Sequence, residues 1–127
     1  MKGKYTVALS MVAGVAIGGL TVHGLHAQGS KPAYSVSEVK IINHDAERAY
    51  TALARNTIGN NAGKSLRTIA GRVAKIEGAE PPTNVAIVEW PSFDAALKFY
   101  KSEGWTKLQP ERDKAYTVVR RYVVESE

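Results

Sequence analysis

Apolar and polar positions alternate along the chain in strand-like and helix-like stretches set apart by breakers. The most regular part is Asn84–Leu108. Val85-Ala86-Ile87-Val88-Glu89-Trp90 is short, rich in β-branched residues and almost continuously apolar, the pattern of a strand inside a sheet with both faces covered. Pro91 cannot extend a ladder, and Ser92 is a helix N-cap with Asp94 in the first turn. Phe93, Ala96, Leu97 and Tyr100 recur at i, i+3, i+4 and i+7, one helical stripe that must lie on a flat surface. Gly104 is expected to end that helix.

The other stretches follow the same logic. Tyr34 to Ile42 reads as a first strand whose alternation slips between Val36 and Val39, the sign of an edge position or a bulge. Asn43 caps a helix with the stripe Ala46, Ala49, Tyr50, Leu53 and Thr57, and Gly59-Asn60-Asn61-Ala62-Gly63 breaks it. Leu66 to Ile76 is a second strand region, with Gly71 marking a bulge or a close backbone approach. A helical turn is expected at Glu111-Arg112-Asp113-Lys114. Tyr116 to Val124 is the last strand, with Tyr116, Val118, Arg120 and Tyr122 on one face and Thr117, Val119, Arg121 and Val123 on the other.

The order β-α-β-β-α-β predicts an α+β, ferredoxin-like fold: a four-stranded antiparallel sheet with two helices on one face. Two helices cover one face only, yet both faces of the third strand are apolar. A second copy packing sheet against sheet, a homodimer, is the expected cover.

Composition adds a compartment. The chain has 127 residues, 44% of them hydrophobic, and no cysteine. That allows one domain with a modest core and excludes disulfides, thiol nucleophiles and thiolate metal sites. Lys2 and Lys4 precede an apolar stretch, Tyr5 to Leu20, and Ala27 ends the run His23-Gly24-Leu25-His26-Ala27. This is the layout of a secretory signal peptide. The expected organisation is a leader at 1–27, a linker at 28–33 and a domain at 34–125, in a periplasmic or secreted protein. The alternative is a retained leader acting as a membrane anchor. Removing Lys2 and Lys4 lowers the net charge from +5 to +3. The remaining basic residues are scattered apart from Arg120-Arg121, which argues against a nucleic acid partner.

Candidate chemistry is sparse. His44 is the only histidine outside the leader region, so no metal site is expected. There is no glycine-rich phosphate loop and no nucleophile elbow, and no cofactor is expected. Glu77 and Glu89 form a conceivable carboxylate pair, more simply read as partners of arginines such as Arg72 or Arg112. Trp90, Tyr100 and Trp105, with Tyr50, are placed to line a pocket between sheet and helices, or to form the core there. Arg112 is the polar candidate for holding a carboxylate or enolate; its plainer roles are a surface pair with Glu111 or Asp113, or a buried pair with Glu89. The candidate ligand-binding residues are thus Trp90, Tyr100, Trp105, Arg112 and His44, with no catalytic residue assigned.

Ile76-Glu77-Gly78, Val88-Glu89-Trp90-Pro91-Ser92, Phe99-Tyr100-Lys101-Ser102 and Arg112-Asp113-Lys114-Ala115, in this order and spacing, resemble the DUF1330 family. The resemblance covers about Tyr34 to Glu125. It implies the dimeric α/β-barrel superfamily, in which two ferredoxin-like subunits pack their sheets together. The sequence departs from the family at Asn84, where many members carry a basic residue, at Ala70-Gly71, where many carry a glycine pair, and at Ser102-Glu103-Gly104-Trp105. The family has no assigned function. The expectation is an exported homodimer binding a small apolar or weakly acidic molecule. The alternatives are a cofactor-free enzyme, monooxygenase- or isomerase-like as in some relatives of the superfamily, and a structural module without ligand.

Overall fold

The computed structural model describes residues 30–127; the leader expected at 1–27 lies outside them. The elements in chain order are β1 (Ala33–Ile41), α1 (His44–Asn60), β2 (Lys64–Leu66), β3 (Asn84–Trp90), α2 (Phe93–Lys101), α3 (Glu103–Thr106), α4 (Gln109–Ala115) and β4 (Tyr116–Glu125). The strands form one antiparallel sheet in the order β2-β3-β1-β4. This is the expected ferredoxin-like α+β fold.

Both long helices start where local chemistry dictates. The Asn43 side chain accepts a hydrogen bond from the Ala46 amide at 2.9 Å, and Ser92 Oγ accepts one from the Ala95 amide at 3.0 Å. Such a cap is worth about 1 kcal/mol. The helices pack on one face of the sheet around Trp90, which is 1% exposed, with Tyr50, Ala54, Ile58, Val88 and Phe99 about it. Trp90 and Phe99 lie 4.6 Å apart between ring centres. Gly63 lets Ile58 and Trp90 pack directly against the backbone: a Cβ there would stand 2.5 Å from Ile58 Cγ2 and 2.9 Å from the Trp90 ring.

Several expectations are corrected. In α1 the buried row is Tyr50, Ala54 and Ile58, with Ala46 packed against it, while Leu53 is 48% exposed. The small Ala54 side chain meets the core, and Leu53 turns outward. Gly104 does not end α2. Ser102 does, its amide donating to the Phe99 carbonyl at 3.0 Å while its Oγ accepts from the Trp105 amide at 3.4 Å, so the same residue starts α3. The turn expected at Glu111–Lys114 is the longer helix α4.

The second strand stops at Leu66 rather than Ile76. Beyond it Gly71 has φ +79°, and its amide donates to the Thr83 carbonyl at 2.9 Å. Thr68 Oγ1 donates to the Val85 carbonyl at 2.6 Å. These bonds tie the segment to the edge of β3 without continuing the ladder, and leave Ile69 and Ile76 exposed.

The irregularity expected in β1 lies beside it. β1 is central, not an edge. Its register with β4 shifts between Glu38 and Val39, where Glu38 faces Arg120 and Val39 faces Val118. The extra residue is Val119, a β-bulge in β4. The alternation expected for β4 therefore fails across it: Tyr116, Arg121 and Val123 share the helix side, and Arg120, Tyr122 and Val124 the uncovered side. On that uncovered side Tyr34, Val36, Val85 and Ile87 are half-buried, and Leu66, Tyr122 and Val124 are exposed.

Candidate ligand-binding cleft

Between α1 and the helix side of the sheet lies a cleft of about 190 Å³. Its apolar walls come from Val39, Ala54, Ile58, Val88 and Trp105. Its polar lining includes Ser37, Asn84, Tyr100, Tyr116 and Arg121. A drug-sized ligand needs about 300 Å³ or more, whereas an apolar cavity of about 150 Å³ holds benzene. The space suits a molecule of about one ring.

Arg121 is the central polar group. Its Nε donates to Ser37 Oγ at 2.7 Å, and one terminal nitrogen donates to the Tyr116 hydroxyl at 3.3 Å. Its guanidinium carbon lies 4.8 Å from the Trp105 ring centre and 5.8 Å from that of Tyr100. None of the ion pairs among the described residues includes it. Two other charged residues line the cleft, Glu47 and Arg55. Glu47 is engaged by the Thr51 hydroxyl at 2.7 Å.

The phenols are held neutral. Burial pushes the Tyr100 hydroxyl above its ordinary pKa, against the opposing effects of its bond to Ser35 and of Arg121. Burial also raises Tyr116, reinforced by Tyr50. Tyr100 O–H and Ser35 Oγ stand 2.7 Å apart, and Trp90 Nε1–H donates to the same Ser35 oxygen at 3.0 Å. Asn84 Nδ2 donates to Thr83 Oγ1 at 3.0 Å, but its Oδ1 is buried without a donor.

Of the five residues singled out from sequence, four come together. Tyr100 and Trp105 stack edge to face at 5.0 Å, and Trp90 and Tyr100 at 5.9 Å. Arg112 lies over Trp105, 3.8 Å from the ring centre. Tyr100 and Trp105 reach the cleft; Trp90 is core, and Arg112 stands behind the wall. Arg112 is 3% exposed and pairs with none of Glu89, Glu111 or Asp113. Instead it donates to the Tyr50 hydroxyl at 3.1 Å, Gln109 Oε1 at 2.8 Å and the Trp105 carbonyl at 2.9 Å. Five fixed donors suit this role, and three neutral acceptors replace the expected acid. His44 is exposed in the first turn of α1, outside the cleft lining. Glu77 lies in the exposed segment after β2, and no ion pair among the described residues includes it or Glu89.

Sequence reasoning missed Arg121, Tyr116, Ser37 and Asn84. Among the described residues no group of three His, Cys, Asp or Glu is arranged to hold a metal. No helix among them is long and apolar enough to cross a membrane.

The topology defines a ferredoxin-like α+β subunit with its cleft on the helix side of the sheet. The chain belongs to the DUF1330 family, a domain of unknown function whose family model matches residues 32–126. Among solved structures it is similar to a protein of unknown function from Rhodopseudomonas palustris, at 15% identity and a TM-score of 0.56 over 84% of this chain and 90% of that one. It is also similar to SnoaB, a cofactor-independent oxygenase from Streptomyces nogalater, at 14% identity and a TM-score of 0.50 over 77% of this chain and 95% of that one. At these identities the likeness is one of fold. Comparison with curated proteins gave no match.

Proposed function

We propose that the protein is an exported homodimer that binds a small apolar or weakly acidic molecule in the cleft. The observation that carries this reading is Arg121, a guanidinium in an aromatic cleft whose partners are neutral oxygens. A carboxylate would meet it bidentately and an enolate or phenolate through its one oxygen, and charge-assisted hydrogen bonds are about twice as strong as neutral ones. Burial keeps the Tyr100 and Tyr116 hydroxyls protonated, so they serve the ligand as hydrogen-bonding groups.

The dimer reading rests on the uncovered sheet face, where Ile87, Leu66, Tyr122 and Val124 stand together. A stable interface buries about 800 Å² per partner. The export reading rests on the leader pattern, and intact mass after secretion should show a chain starting near Gln28 or Gly29.

The decisive measurement is calorimetric titration of the leaderless protein with benzoate and with toluene. Wild type should take up benzoate, and Arg121→Met, folded by circular dichroism, should lose at least tenfold in benzoate affinity while keeping toluene. Equal benzoate affinity in both proteins would remove Arg121 from the site.

A further inference from the structure

Resting on that reading of the cleft, we infer that its ligand is two-ended: an acidic oxygen at Arg121 and, across one ring, a hydroxyl or amine that donates to Asn84 Oδ1. Asn84 begins β3 and pairs with Val39, which puts it on the same sheet face as Ser37 and Arg121. It lines the cleft. Its Oδ1 is the single buried side-chain polar atom without a partner among the described residues. A buried acceptor left unmade carries a real free-energy cost, and native structures keep few of them. Nδ2 gives one hydrogen bond to Thr83 Oγ1, and the atom of this amide left buried without a partner is its oxygen.

The register sets the span. Arg121 pairs with Ser37 and Asn84 with Val39, so their Cα atoms are two strands apart and two residues along. Strand spacing and rise make this roughly 12 Å. Guanidinium and amide both line a cleft of about 190 Å³, so a ligand that meets the two is small, of about one ring. The acceptor also sets polarity. The unpartnered atom is an amide oxygen, which only accepts hydrogen bonds, so the group of the ligand that meets it must be a donor. The chemical class is a hydroxylated or amino-substituted ring acid, and Asn84 is its specificity-determining residue.

The test compares benzoate with 4-hydroxybenzoate on the leaderless protein by calorimetry. Wild type should bind 4-hydroxybenzoate about tenfold more tightly, the scale of one neutral hydrogen bond to an otherwise unpaired group. Asn84→Leu should lose the preference and bind both acids alike, and Arg121→Met should weaken both. If wild type binds the two acids equally, the Asn84 role is overturned while the cleft reading stands. If the preference survives in Asn84→Leu, the donor is met elsewhere and the inference is likewise overturned. Failure of wild type to bind either acid would overturn both. The comparison of the two acids on wild type needs no variant, so misfolding of Asn84→Leu does not remove the test.

Discussion

Arg120 and Arg121 are neighbours on β4, opposite Glu38 and Ser37 of β1, and they face opposite sides of the sheet. Arg120 is 68% exposed and pairs with Glu38, whose own side chain is 8% exposed. Arg121 lies under the helices against hydroxyls and aromatic rings. The same residue type thus closes an ion pair on the open face and leaves a charge unpaired by acid on the covered one. The lesson is that the acid opposite, not the arginine, separates a surface tie from a binding group. On the open face β1 supplies glutamate; on the covered face it supplies serine, and the positive charge remains available.

The largest difference between the faces should come from a lysine on each. Val88 is 5% exposed under the helices, whereas Ile87 points to the open side. Val88→Lys should unfold the subunit, because a buried unpaired ammonium costs several kcal/mol. Ile87→Lys should keep the fold and lose the dimer, seen as a monomer in sedimentation equilibrium. A clean wild-type monomer at micromolar concentration would instead remove the dimer from the reading.

Arg112 sharpens the comparison from the covered side. Arg112→Ala should cost about 3 kcal/mol in urea unfolding, since it opens a hole and strips the Trp105 carbonyl and Tyr50 hydroxyl of their donor. Arg112→Lys should recover little, as an ammonium cannot reach three acceptors in one plane. The parallel Arg120→Ala should shift the midpoint far less. Equal losses would mean that burial does not distinguish these arginines.

The smallest effect is one of pH. The Arg120 hydrogen bond and charge hold the Glu38 carboxyl below its ordinary value of 4.5, against some desolvation. A depressed carboxyl stabilises the fold above its unfolded pKa, and that contribution fades as pH falls through the folded value. The stability gap between wild type and Glu38→Gln should therefore narrow on acidification below the ordinary carboxylate range. A gap independent of pH would show that the pair contributes through packing alone.

Much of the fold was legible in the sequence because its signals were local. Asn43 and Ser92 cap their helices, and Val85–Trp90 is a strand with a buried centre, as their chemistry demands. The errors arose where tertiary partners decide. Ile69, Val73 and Ile76 have strand chemistry, but Gly71 turns the backbone and no strand among the described residues pairs with them. The site was half legible. Tyr100 is legible from its helical stripe and Trp105 from the aromatic cluster it joins, whereas Arg112, legible from its motif, stands behind the wall. The sequence places Arg121 on the right strand but not at the cleft, because Tyr116 and Arg121 share a face only through the extra residue between them. The uneven alternation of β1 near Val36 to Val39 was the available trace of that irregularity, one strand away from where it lies.

Val119 has a consequence at the level of the gene. It is the spare residue of β4, so an in-frame loss of its codon would leave Tyr116 and Val118 on the helix side and Arg120, Arg121 and Tyr122 where they already face. The same loss between Arg121 and Glu125 would move every later side chain to the opposite surface, since strands repeat every two residues. The bulge is therefore the one point in this strand where length can drift between lineages without exchanging the cleft for the outer face.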